Sequence, residues 1–104
     1  VKLPDQSILT IDPFTTTSQR YIPATNTWIP DSNVPVSIYD PFGGEMGGGF
    51  LLPDGRAWMI GALPHTAYYT PSGTTAPGTW TGRWCGTTKW RSRTGNGRRG
   101  CCGR

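Results

Sequence analysis

The feature that most constrains this chain is that it repeats itself. Leu3-Pro4-Asp5-Gln6-Ser7-Ile8-Leu9-Thr10-Ile11 returns 49 residues later as Leu52-Pro53-Asp54-Gly55-Arg56-Ala57-Trp58-Met59-Ile60. Tyr21-Ile22-Pro23 returns as Tyr69-Thr70-Pro71 at a spacing of 48, and Trp28 as Trp80 at 52. A self-match at this period marks an array of supersecondary units, each too small to bury its own apolar face alone.

The local patterns within each copy are those of short strands. In the second copy the apolar run Gly49-Phe50-Leu51-Leu52 is stopped by Pro53-Asp54-Gly55, where proline presets φ and glycine tolerates φ > 0, as a tight reversal requires. Ala57 to Ile60, Thr66 to Tyr69 and Thr79 to Thr81 supply three further strands, separated by Gly61-Ala62 and Pro71-Ser72-Gly73. The first copy reads as the same unit without its opening strand. Ile8 to Ile11, Gln19 to Ile22 and Thr27 to Ile29 are its strands, and Pro23 to Asn26 turns between the last two. Residues 31–46 connect the copies, with Val34, Val36 and Ile38 alternating as a possible extra edge segment. Pro or Gly interrupts nearly every window long enough for a helix, so the expected fold class is all-β, built of antiparallel meanders.

Tyr21-Ile22-Pro23-Ala24-Thr25-Asn26-Thr27-Trp28 resembles the end of a kelch repeat, whose pattern runs Tyr-Asp-Pro-x-Thr-Asn-x-Trp. Leu52 to Arg56, Gly61, and Tyr69 with Pro71 resemble the first three strands of the next repeat, and the spacing near 50 is that of kelch repeats. Gly61-Ala62 stands where the family has Gly-Gly, and Asp12-Pro13 stands there in the first copy. The resemblance, to kelch and galactose-oxidase-like β-propellers, implies four-stranded meander blades of an incomplete propeller over residues 1–81. These comprise a partial blade 1–30, a connector 31–46 and a blade 47–81. Roughly 4–8 blades close such a ring, so further kelch blades are the first partner expected. Until they are supplied, Trp28, Trp58, Tyr68 and Trp80 are expected to stay partly exposed.

Charge divides the chain again. Residues 1–80 set Lys2, Arg20 and Arg56 against Asp5, Asp12, Asp31, Asp40, Glu45 and Asp54. Residues 81–104 carry seven cations, no acid and all three cysteines. The segment 82–104 therefore reads as a basic Gly/Arg/Trp/Cys tail, a disordered extension or the product of out-of-frame translation. Its interleaved Arg and Trp suit weak, salt-dependent contact with single-stranded nucleic acid, the least favoured of these readings. No apolar run is long enough to span a membrane, and no basic start leads into an apolar stretch as in a signal peptide.

Candidate chemistry is sparse. His65 is the sole histidine; it falls between the second and third strands of its blade, where a loop residue can touch a ligand, and it is the one weak candidate for ligand binding. A Ser–His–Asp set drawn with Ser72 lacks any activated-serine motif. Gly43 to Gly49 lacks the helix and the Lys-Ser/Thr pair of a phosphate loop, and its glycines fit close strand packing instead. Asp54-Gly55 lacks the alternating acids of a calcium loop. Cys85, Cys101 and Cys102 contain no CxxC pair, so no metal site is expected. No catalytic residue and no cofactor follow from these residues. The resemblance implies a non-catalytic role, binding a protein or carbohydrate through the loops near Asp12 to Ser18 and Gly61 to Thr66. The alternative it implies is a piece of a galactose-oxidase-like carbohydrate oxidase. That chemistry needs two histidines, two tyrosines and a Cys–Tyr crosslink, and this chain has one histidine.

Overall fold

The structure, a computed structural model, describes residues 1–84 except Pro13 and Leu63. The described residues form antiparallel sheets and no helix. β1 (Ile8–Ile11), β2 (Ser18–Ile22) and β3 (Thr27–Pro30) form an N-terminal sheet in the order β1-β2-β3. β4 (Tyr39–Asp40) and β5 (Glu45–Met46) form a small hairpin. β6 (Gly49–Leu51), β7 (Ala57–Ile60), β8 (His65–Thr70) and β9 (Thr79–Trp84) form a four-stranded meander in sequential order. The last strand runs to Trp84, three residues past the expected boundary at 81, and pairs Thr66 with Arg83 and His65 with Trp84. The character expected of the tail beyond this strand lies outside the described residues.

The sequence repeat is a structural repeat, register included. Ile8 faces Tyr21 and Tyr21 faces Trp28 in the N-terminal sheet. Ala57 faces Tyr69 and Tyr69 faces Trp80 in the C-terminal sheet. Even the opening strand has a remnant in the first copy. Lys2 bridges Ile8, as Leu51 pairs with Ala57, and Val1 and Leu9 exchange both backbone hydrogen bonds at 2.8 Å.

The two Leu-Pro-Asp turns are closed alike. Leu3 N–H donates to the Ser7 carbonyl (2.8 Å) and Gln6 N–H to the Leu3 carbonyl (2.9 Å). Leu52 N–H donates to the Arg56 carbonyl (2.8 Å) and Gly55 N–H to the Leu52 carbonyl (2.9 Å). In each, the aspartate Oδ1 accepts the N–H two residues on, Ser7 or Arg56, at 3.0 Å. The turn requires a left-handed residue immediately after its aspartate. Gly55 meets this at φ 91°, whereas Gln6 does so at φ 75° with a Cβ in the way.

The sheets stack through opposite faces. The N-terminal sheet buries the side carrying Leu9, Arg20 and Ile29, and the C-terminal sheet buries the side carrying Ala57, Tyr69 and Trp80. Trp80, expected to stay partly exposed, is only 9% exposed because this stacking covers it. Its indole N–H donates across the interface to the Ser32 carbonyl (3.0 Å). Trp28, at the matching position of the other sheet, is 57% exposed.

The connector differs from expectation. Val34, Val36 and Ile38 add no strand to either sheet. Pro35 between them cannot donate to a ladder, and Val34 and Ile38 instead sink into the core formed with Leu3, Leu9, Met59 and Ala67. Val34 N–H donates to the Thr16 carbonyl (2.7 Å), and Ala62 N–H to the Ile38 carbonyl (3.1 Å), which ties the connector to both sheets' loops. The hairpin β4–β5 was not expected within it. The following glycines do allow close packing: a Cβ on Gly49 would lie 2.7 Å from the Met59 sulfur.

The strained Gln6 gives a direct test. Gln6→Gly should raise stability by about 0.5–1 kcal/mol by removing the φ penalty. Gly55→Ala should lower it by about 1–2 kcal/mol even though the nearest atom to the new Cβ would be at an ordinary 3.5 Å. Urea unfolding midpoints at neutral pH measure both.

Candidate functional site

Buried charge among the described residues is concentrated at Arg20, which is fully buried between the sheets. Its Nε donates to Asp31 Oδ2 (2.6 Å), and its Nη1 to Asp5 Oδ2 (3.4 Å) and the Thr74 carbonyl (3.0 Å). Its Nη2 donates to the Ala76 carbonyl (2.7 Å). Asp31 is the other half of this clasp, with no exposed side-chain surface. It accepts from Tyr69 Oη (2.6 Å), Gly78 N–H (2.9 Å) and Ser32 N–H (2.7 Å) as well as from Arg20. Burial works against the Asp31 carboxylate, but these donors outweigh it, with Tyr69 foremost, and hold its pKa below the usual value. Burial, then the hydrogen bond to Asp31 and the Asp31 charge, push the Tyr69 hydroxyl well above its ordinary range, so it remains a donor. Arg20 and Asp31 are closed off from solvent, and only the Asp5 edge of the cluster reaches the surface. Its work is joining the sheets.

A second polar region lies between the two Leu-Pro-Asp turns, an open cleft of about 460 Å³ lined by Pro4, Asp5, Asp54, Arg56, Thr70 and Ser72. Its acids already have partners: Asp5 binds Ser7 and Arg20, and Asp54 binds Arg56 at 2.8 Å. Arg56 also lies over the Tyr68 ring, 4.9 Å from its centre. Ser72 Oγ donates to the Ala76 carbonyl (2.7 Å) and shapes its own loop.

The surface with unspent capacity is made by loops from three separate parts of the chain. The β1–β2 loop, the β4–β5 hairpin and the β7–β8 loop converge around the connector. Phe14 packs edge-on against Tyr39 at 5.8 Å, Ala62 N–H reaches the Ile38 carbonyl, and His65 Nδ1 meets the Ser37 carbonyl. Two copies of one local device shape this surface. In Asp12-Pro13-Phe14, the Asp12 Oδ1 accepts Phe14 N–H (2.9 Å); in Asp40-Pro41-Phe42, Asp40 Oδ1 accepts Phe42 N–H (2.8 Å). Each aspartate fixes a side-chain-closed turn that lifts the following phenylalanine outward. Phe14 is 68% and Phe42 96% exposed. Asp12 and Asp40 belong to the same two turns as the phenylalanines, and the Asp40 and Glu45 carboxylates both border Gly43, next to Phe42.

His65 belongs to this region as the first residue of β8 rather than as a loop residue, and its ring is engaged with the connector backbone. Ser72 lies beyond the other end of β8, roughly 20 Å away along an extended strand, so the two are not brought together. Among the described residues no three metal-ligating side chains converge. The expected loop segments Asp12 to Ser18 and Gly61 to Thr66 each contact the connector, through Thr16 and Phe14 on one side and Ala62 and His65 on the other, and the exposed Phe14 and Phe42 were not among the expected residues. The signal lies in the doubled Asp-Pro-Phe at residues 12–14 and 40–42, a spacing of 28 that falls outside the 49-residue repeat.

No family model, no curated protein and no solved structure matches this chain.

The clasp predicts an acid limit. A carboxylate with a lowered folded pKa stabilises the fold above its unfolded value of about 3.8, and that contribution is lost as pH falls through the folded pKa. Stability should therefore be flat above about pH 5 and fall below about pH 4. Asp31→Asn should cost about 3–5 kcal/mol at pH 7 by leaving Arg20 buried without its main partner, and should reduce the acid limb to the part carried by the other carboxylates with lowered pKa, Asp5 among them. Tyr69→Phe should cost about 1–3 kcal/mol and shrink the acid limb without abolishing it, since Ser32, Gly78 and Arg20 still hold the Asp31 pKa down. Urea titrations between pH 2.5 and pH 7 separate these outcomes.

Proposed function

We propose that this chain is a non-catalytic piece of a kelch-type β-propeller whose loop surface binds a protein or carbohydrate partner. The observation that carries the reading is the pair of exposed phenylalanines, Phe14 and Phe42, held outward by side-chain-closed turns beside Asp12, Asp40 and Glu45. An exposed ring on a fixed turn offers a flat apolar face at little entropic cost, and neighbouring carboxylates accept hydroxyl or amide donors. The blade reading is supported by the four-stranded antiparallel meander β6 to β9 and by a second sheet that repeats its register. Sugars and peptides both offer the required combination of apolar face and polar donors.

Titration of the full chain on an oligosaccharide array and on a peptide array tests this. Binding on one array should weaken at least about tenfold in Phe42→Ser and Phe14→Ser, as expected for exposed aromatic anchors. Wild-type-like binding by both variants, or no binding on either array, rejects the reading. Loss of binding on removing residues 85–104, with both phenylalanines dispensable, would assign it to the basic segment instead.

A further inference from the structure

The described residues contain one sheet-to-sheet interface, and the repeat shows where a second of the same kind fits. Within the chain, the face carrying Ala57, Tyr69 and Trp80 is covered by the face carrying Leu9, Arg20 and Ile29. These are not matching faces. The repeat equates Ala57, Tyr69 and Trp80 with Ile8, Tyr21 and Trp28, which form the outer side of the N-terminal sheet. It equates Leu9, Arg20 and Ile29 with Trp58, Tyr68 and Thr81, which form the outer side of the C-terminal sheet. Each free face is thus the counterpart of one half of the interface that the chain already makes.

The side chains preserve the likeness. Tyr69 and Trp80 meet at 5.0 Å with their rings inclined by 61°; Tyr21 and Trp28 meet at 5.2 Å with an inclination of 49°. The first pair is covered, with Tyr69 wholly buried, while Trp28 of the second pair and Ile8 beside it are exposed. On the other free face, Phe50, Trp58 and Tyr68 lie in register across three strands, with Trp58 and Tyr68 stacked at 12° and Phe50 exposed.

We infer that a second copy of this chain docks head to tail, laying its Phe50–Trp58–Tyr68 face on the Ile8–Tyr21–Trp28 face of the first. The contact is heterologous, so each docked copy leaves one face of each kind free and association continues beyond a dimer. It lacks the polar clasp of the internal interface. The position that follows Trp80 by three is Arg83, where Asp31 follows Trp28 by three, and no carboxylate stands there to repeat the Asp31 bonds. The docking therefore rests on apolar and aromatic contact alone and is reversible. It is independent of the loop surface proposed above to bind a partner, since it uses the sheet faces and not Phe14 or Phe42.

Sedimentation velocity of the full chain from about 5 to about 500 µM tests the inference, with a reductant present so that the three cysteines cannot crosslink copies. The weight-average mass should climb continuously past that of a dimer. Trp28→Lys and Phe50→Lys each remove one face and should weaken association at least about tenfold. Mixed together, the two variants should recover a one-to-one pair that does not grow, because each supplies the face the other lacks. Both positions are exposed, and unchanged thermal unfolding confirms that the variants fold; Trp28→Ser and Phe50→Ser replace them if they do not. A wild-type chain that stays monomeric throughout overturns the inference. So does a Phe50→Lys variant that self-associates like wild type, since that would mean pairing of like faces.

Discussion

Asp31 is the residue on which the relation between the two sheets depends. A three-stranded and a four-stranded sheet of short strands could be stacked at many offsets by apolar contact alone, because the hydrophobic effect has no direction. Asp31 removes that freedom. Its two oxygens hold Arg20 from β2, Tyr69 from β8 and the Gly78 and Ser32 backbone N–H groups. Those donors come from both sheets and from the connector, and they can meet a single carboxylate in only one arrangement. The energetic value of a buried ion pair against an apolar substitute is small; the penalty for misplacing it is large, since any shift strands a buried charge. The clasp therefore selects the arrangement more than it deepens the well.

This selection explains how two copies of nearly the same motif come to have different surroundings. Arg20 and Tyr68 occupy equivalent strand positions, yet Arg20 is wholly buried while Tyr68 is half-buried on an outer face. An arginine can sit at the buried position because carbonyls of Thr74 and Ala76 and carboxylates of Asp5 and Asp31 surround it. Tyr68 needs no such cage, since Trp58 stacks beside it and Arg56 covers its ring. The repeat sets backbone register; the side chains that interrupt it decide which face each sheet turns inward.

Much of the backbone was legible in the sequence, and the reason is local. Strand positions, the Leu-Pro-Asp turns and the antiparallel order depend on φ preferences and apolar alternation within a few residues, and β1 to β3 and β6 to β9 fall where those signals put them. What was not legible depended on distant residues. Val34, Val36 and Ile38 alternate like a strand, but Pro35 breaks the ladder and the core left a gap that Val34 and Ile38 fill. Trp80 looked exposed because nothing local indicates that β2 and the connector will cover it. Arg20 counted only toward the charge balance of residues 1–80, although it interrupts an otherwise inward-facing apolar row and is followed by an acid just past β3. The loop surface was half legible: its segments were placed, but Phe14 and Phe42 owe their exposure to turns closed by Asp12 and Asp40.

Opposite-face stacking has a further physical consequence. Two sheets that bury like faces would form a closed sandwich with two polar outsides, and the design would be finished at two sheets. Here each sheet buries the side that its counterpart exposes, so adding or removing a unit always leaves the same pair of faces. The aromatic residues on the outside, Trp28 at one end and Phe50 at the other, are then not surplus hydrophobic surface. They follow from a repeat whose inner and outer faces must both be apolar, because any unit in the array has to serve as the covered and the covering partner at once. Only the clasp is unsymmetrical, and it marks the junction within the chain as the one fixed by charge.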